Sequence, residues 1–140
     1  DQHLDFDLDL AKSQSNDNPV YYIQYAHARV CSLLDLWAGD AETLAAVDLA
    51  ALEGPRELAL AARLGEFPEV VEQAAAELAP HLVAFYLKDL AAEFHSYYNA
   101  ERILVDAPAV REARVALAAA VRQVIRNGMS ILGVSCPESM

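Results

Sequence analysis

Apolar side chains recur at intervals of three and four residues along most of this chain, which is the spacing of one helix face. In the stretch 18–37 the inward positions are Ile23, Ala26, Val30, Leu33, Leu34 and Trp37. Asn18 can accept a hydrogen bond from the first turn, and Pro19 fits the first helical position because it has no N–H to lose. The pattern therefore predicts a helix that begins at Pro19 and is ended by Gly39.

Prolines and glycines divide the remainder of the chain into further helices. Four more main helices are predicted: 55–64, one from Pro68, one from Pro80 to about Asn99, and one from Pro108 to about Arg126. The helix from Pro80 is expected to be the longest. Asn127–Gly128 is expected to end the last helix, and Met129–Leu132 is expected to add a last turn. A short helix over 41–46 is expected after Asp40. The predicted fold class is all-α, a bundle of about five main helices.

The first fifteen residues follow a different pattern. Leu4, Phe6, Leu8 and Leu10 alternate with acidic residues, and by period this fits a half-buried strand. No partner strand is predicted elsewhere in the chain. A short helix over 7–13, or an extended arm, is therefore preferred.

Composition and charge narrow the possible functions. With 140 residues and 55% apolar content the chain fits one domain, and its apolar runs are too short to predict a membrane span. The net charge of −11 is uneven, because residues 1–87 hold four Lys/Arg against fifteen Asp/Glu, whereas residues 88–140 hold six of each. Two cysteines without a CxxC motif favour a reducing, cytoplasmic setting.

No active site is visible in the sequence. The four histidines are not spaced to bind a metal together, so no metal site is predicted, and no glycine-rich loop could hold a phosphate. His27 and Cys31, four residues apart, are the one pair that resembles a base and a nucleophile. Because this pair lies beside the predicted core, a packed thiol is the preferred interpretation.

Three groups of side chains could contact a nucleic acid. Tyr21, Tyr25 and Arg29 share a helix face and could stack on a base and bind a phosphate, or pack against a neighbouring domain. The second group lies on one flank of the helix from Pro80, and the third lies on one edge of the last helix. These groups are Lys88, His95, Asn99 and Arg102, and then Arg111, Arg122 and Arg126, with Arg114 beside them. For the flank of the helix from Pro80, the alternative to RNA contact is an ordinary solvated surface.

Three sequence motifs resemble a known family. Asn-Pro-Val-Tyr-Tyr-Ile-Gln-Tyr-Ala-His-Ala-Arg at 18–29 is similar to the segment that opens the C-terminal helical domain of class I arginyl-tRNA synthetases. Glu-Phe-Pro-Glu-Val-Val at 66–71 and Phe-His-Ser-Tyr-Tyr-Asn at 94–99 resemble later segments of the same domain. The family's Asp-Ala-Leu-Arg tetrapeptide is missing, and Ser139 stands where the family typically has arginine near its end.

The resemblance implies an anticodon-binding domain over 16–140, joined by 1–15 to a catalytic domain. It implies arginine tRNA and the enzyme's own catalytic domain as partners, without membrane or DNA. The family binds ATP with Mg²⁺ and arginine on the catalytic domain, so this chain is expected to carry no cofactor, no catalytic residue and no ligase activity alone. Expected base contacts are Tyr21, Tyr25, Tyr98 and Met140. Expected backbone contacts are Arg29, His95, Asn99, Arg102, Arg111, Arg122 and Arg126.

Two other functions remain open from the sequence. One is an acidic helical module that binds a partner protein through its exposed tyrosines. The other is a domain whose Tyr21/Tyr25 face only packs on the catalytic domain. RNA binding is favoured if the tyrosines and the arginine edge form one continuous surface, and the other two functions are favoured if they point apart.

Overall fold

The computed structural model describes residues 8–12, 14–15 and 17–140, and every regular element within these ranges is helical. The elements are α1 Leu8–Lys12, α2 Pro19–Trp37, α3 Ala41–Ala45, α4 Pro55–Gly65, α5 Phe67–Ala76, α6 His81–Ala100 and α7 Pro108–Leu132, with a 3₁₀ turn at Leu49–Ala51. Five of these helices have ten or more residues, which confirms the predicted all-α bundle of about five main helices. None of the described helices is both long and apolar enough to cross a bilayer.

The core lies between α2, α6 and α7, and α4 and α5 cover the outer side of α6. Val30, Leu87, Phe94, Val121 and Ile125 are fully buried there. Helices α2 and α7 are antiparallel, since the start of α2 lies beside the end of α7 and the two opposite ends also meet. This packing leaves one side of α2 free to form a surface with α6.

The beginning of α2 follows its sequence signals. The Asn18 side-chain oxygen accepts hydrogen bonds from the backbone N–H groups of Val20 and Tyr21, at 3.1 and 3.4 Å. Pro19 occupies the first turn, as predicted. The cap therefore satisfies donors that a helix start otherwise leaves unpaired.

The end of α2 differs from the prediction, because Ala38 and not Gly39 takes the left-handed conformation, with φ 56°. Gly39 lies directly against the indole of Trp37, and a Cβ there would come within 2.3 Å of the ring. The indole is half-buried and its Nε1–H donates to the Glu112 carboxylate at 2.7 Å. Close approach of the ring is thus what requires glycine at this position.

The prediction that the helix from Pro80 is longest was wrong. Helix α7 has 25 residues and continues through Asn127–Gly128 to Leu132. Gly128 is buried against Leu87, and Met129 after it is 1% exposed, so packing on α6 carries the helix past its local stop signal. The left-handed cap falls instead at Gly133, with φ 72°.

Smaller differences concern the other boundaries. Helix α5 begins at Phe67, one residue before the predicted Pro68, and α6 begins at His81 with Pro80 as its cap. The short helices at 8–12 and 41–45 form close to where they were expected. The other residues of the predicted alternating stretch, including Leu4 and Phe6, lie outside the described residues.

Candidate nucleic-acid interface

An open pocket of about 530 Å³ lies where α2 faces the second half of α6. Its lining consists of Gln14, Ser15, Tyr21, Tyr22, Tyr25, Arg29, His95 and Asn99. The four-residue spacing on α2 brings the tyrosines and the arginine to one side of the helix, as the sequence predicted. Tyr98, from the same turn of α6 as Asn99, lies under the Arg29 guanidinium.

Three of the rings in this pocket lie roughly parallel to one another. Tyr21 and Tyr25 have centroids 6.5 Å apart with planes 11° apart, and Tyr25 and His95 have centroids 5.3 Å apart with planes 27° apart. The Arg29 guanidinium carbon lies 4.3 Å from the Tyr98 ring centre and 5.1 Å from that of Tyr25. Stacked rings with a cation across their faces form a platform on which another planar group can stack.

His95 supports these rings through two hydrogen bonds to α2. Its Nδ1 lies 3.0 Å from Arg29 Nη1, and because a guanidinium can only donate, Nδ1 accepts. The Nε2–H then donates to the Tyr22 carbonyl at 3.4 Å. Burial lowers the pKa of His95 below its ordinary value; the hydrogen bond to Tyr22 opposes this shift, and the Arg29 charge adds to it. The ring is therefore neutral with its proton on Nε2.

His95 does not lie on an exposed polar flank of α6 as predicted, because it is 6% exposed and bonded within the protein. Its contact with RNA stays a prediction. The spacing placed His95 on the same face of α6 as Lys88 and Asn99. Helix α2 packs over this face at His95. Asn99, Lys88 and Arg102 are exposed. The Arg102 backbone carbonyl accepts from Arg114 Nη1 at 2.7 Å, which fixes the turn after α6.

The arginine edge of α7 lies away from the pocket between α2 and α6. Arg126 Nε donates to His27 Nε2 at 2.8 Å, and Arg122 Nη1 lies 4.0 Å from the sulfur of Cys31. His27 and Tyr25 are two residues apart, so they point about 200° apart around α2. Arg111, in the first turn of α7, lies 3.4 Å from the Glu112 carboxylate in the pocket beside Trp37.

The tyrosines and the arginine edge therefore do not form one continuous surface. By the criterion set from the sequence, this arrangement favours protein interaction or domain packing over RNA binding. Contact of Arg111, Arg122 and Arg126 with an RNA backbone stays a prediction. Met140 is 49% exposed, and its predicted base contact likewise stays a prediction.

No group of three histidine, cysteine or acidic side chains converges as a metal site within the described part of the chain. Cys31 is buried, with its sulfur 3.8 Å from His27 Nδ1, and it packs among the core side chains of α2. The buried surroundings fit the packed thiol that the sequence favoured.

The sequence reasoning missed two contributors. Tyr22 was not singled out, yet its ring lies 4.7 Å from His95 and its carbonyl sets the histidine tautomer. Glu57, 3% exposed, accepts from the Tyr97 hydroxyl at 2.9 Å and from Arg114 Nε at 3.2 Å. Burial, followed by the bond to Glu57, raises the pKa of Tyr97 far above its ordinary value. No spacing within one helix signals these contacts, because each joins residues of different helices.

The sequence of this chain matches the model of the DALR anticodon-binding domain over residues 23–140. The chain belongs to that family. The resemblance to the helical domain of arginyl-tRNA synthetases is confirmed, although the Asp-Ala-Leu-Arg string is missing.

Relatives of this anticodon-binding domain agree on the assignment. Arginine–tRNA ligase from Dechloromonas aromatica is 74% identical over all 140 residues, and the ligase from Azoarcus sp. is 72% identical over the same length. The chain spans only 24% of each of these proteins. It thus corresponds to about a quarter of the curated relatives that it matches.

Solved structures show the same fold. The Thermus thermophilus arginyl-tRNA synthetase matches 99% of the chain with a TM-score of 0.84 and 37% identity, and the chain covers 24% of it. A Campylobacter jejuni protein assigned as an arginyl-tRNA synthetase matches the whole chain with a TM-score of 0.90 and 28% identity, and the chain covers 30% of it. The helical arrangement is therefore that of the anticodon-binding domain.

Proposed function

We propose that this chain binds the anticodon arm of arginine tRNA as one domain of a cytoplasmic arginyl-tRNA synthetase. Residues 16–140 form the domain, and residues 1–15 join it to the rest of the enzyme. The rest of the full-length protein binds ATP with Mg²⁺ and arginine and attaches the amino acid. This chain supplies RNA binding and no catalytic group.

The observation that carries the proposal is the pocket between α2 and α6. Unpaired loop bases are commonly recognised by stacking on aromatic rings and by hydrogen bonds to their edges. Tyr21 and Tyr25 provide the parallel rings, and Arg29 provides a cation held over Tyr25 and Tyr98. Asn99 at the rim has both a donor and an acceptor for a base edge.

The charge of the chain fits contact with a few loop nucleotides. A net charge of −11 opposes a long phosphate track, and most of the acids lie in residues 1–87. Few phosphates are therefore neutralised by this domain. The salt dependence of its contribution should be shallow, roughly −0.7 per phosphate contact on a single strand in the log–log slope.

The test is tRNA binding by the full-length protein with Tyr21→Ala or Asn99→Ala. Each change should weaken binding of arginine tRNA about tenfold or more, because stacking and edge contacts are worth roughly 1–3 kcal/mol each. Asn99→Ala should also reduce the preference over a non-cognate tRNA. The matched control is Phe85→Ala, an exposed aromatic fourteen residues before Asn99 on the same helix. Unchanged affinity in both site variants would reject the proposal.

A second candidate function is packing on the rest of the full-length protein. Leu36 and Leu78 are 74% and 88% exposed, more than large apolar side chains usually are. If packing is the only role, Leu36→Glu and Leu78→Glu should lower the full-length protein's unfolding temperature, and Tyr21→Ala should leave tRNA affinity unchanged.

A further inference from the structure

The last seven residues, 134–140, are here called the tail, and their first part lies along α2. The Val134 N–H donates to the Met129 carbonyl at 2.9 Å, where α7 ends. Gln24 Nε2 then donates to the Ser135 carbonyl at 2.9 Å, and His27 Nδ1 lies 3.0 Å from the Pro137 carbonyl. Two side chains one turn apart on α2 thus bind two carbonyls of the tail.

One tautomer of His27 explains its contacts with Arg126 and Pro137. Arg126 Nε can only donate, so His27 Nε2 accepts at 2.8 Å and the ring proton is on Nδ1. That proton points to the Pro137 carbonyl, which can only accept. Arg126 therefore selects the form of His27 that binds the tail, and its own guanidinium lies 3.8 Å from Glu138. The imidazole is 0% exposed, so solvent cannot replace these partners.

We propose that His27 and Arg126 are positioning residues that clamp the tail on α2 and thereby order it for tRNA binding. The proposal rests on the proposed function, because α2 also carries Tyr21, Tyr25 and Arg29 on its other side. In this role His27 and Arg126 act on RNA only through the tail, which is an alternative to the predicted backbone contact of Arg126. A tail that is ordered before binding does not lose that conformational freedom when the RNA arrives.

Cys136 reports on the clamp without RNA, since it lies between the two held residues Ser135 and Pro137. Burial raises the pKa of the Cys136 thiol, Arg126 opposes that shift, and Cys31 adds to it. Release of the tail exposes the thiol and increases its reaction with iodoacetamide. Removal of the Arg126 charge alone would raise the pKa and slow the reaction, so a faster reaction in an Arg126 variant means that the tail has opened.

The first experiment measures alkylation of Cys136 in the full-length protein by peptide mass spectrometry. His27→Ala and Arg126→Gln should each accelerate it about tenfold, as expected for loss of a hydrogen bond to a charged group. His27→Asn, which retains a donor toward Pro137, should restore part of the protection. Gln123→Ala, at an exposed position one turn before Asn127 on α7, is the matched control. Unchanged rates in both clamp variants would overturn the clamp.

The second experiment measures arginine tRNA affinity of the same variants and of a variant truncated after Ser135. Arg126→Gln should weaken binding about threefold, the size expected for ordering a short segment. In the truncated protein Arg126→Gln should have no further effect, because Pro137 and Glu138, through which it acts, are gone. The positioning role would be overturned if Arg126→Gln weakened binding equally in the full-length and the truncated protein. Unchanged affinity despite faster Cys136 alkylation would also overturn it. If the wild-type protein does not bind arginine tRNA, the proposed function and the positioning role both fall, and Cys136 still decides whether the clamp exists.

Discussion

Two arginine–histidine pairs on opposite sides of α2 have nearly the same internal geometry but different surroundings. Arg29 donates to His95 at 3.0 Å, and Arg126 donates to His27 at 2.8 Å. In each pair the histidine is buried and has a lowered pKa, mainly because of burial. The first pair opens into a pocket lined by tyrosines, whereas the second is covered by the tail.

The difference shows that the neighbours of a cation decide whether it can meet a ligand. Arg29 has aromatic faces around it and an open side toward solvent. Arg126 lies between a histidine of α2 and Glu138 of the tail. Both appear in the sequence as arginines on the outer face of a helix, and the two were expected to share one RNA-binding surface.

The largest expected effect tests the two sides of α2 directly. Arg29→Ala removes the cation from the Tyr25 and Tyr98 rings and the hydrogen bond to His95. Affinity for arginine tRNA should fall by about 2 kcal/mol, or roughly 30-fold. Arg122→Ala tests the predicted backbone contact on the other side of α2, and a change in affinity of less than about threefold would exclude that contact. Filter binding with the full-length protein measures both, and equal losses would remove the distinction between the two sides.

The next effect concerns the end of α7, from which the tail reaches α2. A Cβ at Gly128 would lie 2.7 Å from two carbons of Leu87, so Gly128→Ala should push α7 away from α6. The expected loss of unfolding free energy is about 1–3 kcal/mol, with faster Cys136 alkylation. Gly65→Ala, where no atom lies within 4 Å of the added methyl group, should instead stabilise the helix by about 0.5–1 kcal/mol. Urea unfolding checks both, and equal effects would show that contact with Leu87 is unimportant.

The smallest effect is a dependence of stability on pH. A histidine whose pKa is lowered by folding contributes stability that is complete above its unfolded pKa of about 6.5 and is lost as the pH falls through the lowered folded value. Unfolding free energy should therefore decrease as the pH falls below about 6.5. His95→Gln and His27→Gln should each make this decrease shallower, as measured by urea unfolding across this pH range.

The groups around each histidine predict the same direction of pH dependence on both sides of α2. His95 faces Arg29, Tyr22 and Tyr25 of α2 and the ring of Phe94. His27 faces Arg126 and Arg122 of α7, Cys31 of its own helix, and Pro137 and Glu138 of the tail. The carbonyls of Pro137 and Tyr22 and the mostly exposed carboxylate of Glu138 favour a charged imidazole, but burial outweighs them. A pH profile that His95→Gln leaves unchanged would contradict the neutral form assigned to that ring.

Local signals in the sequence determined where most helices begin and which side chains share a face. Asn18 with Pro19 predicted the start of α2, and the four-residue spacing placed Tyr21, Tyr25 and Arg29 together. These features depend on hydrogen bonds and geometry within one or two turns of helix, which short sequence patterns contain. The three motifs likewise identified the family before any packing was known.

Only the tertiary structure decided what packs on each face. It buried His95 beneath Arg29, carried α7 past Gly128, and turned Arg126 toward His27. Each of these outcomes joins residues of different helices, or depends on the space that a neighbouring helix leaves. A helical period specifies direction around one axis but not the partner that lies in that direction, and burial by that partner sets both the charge of a histidine and the availability of an arginine.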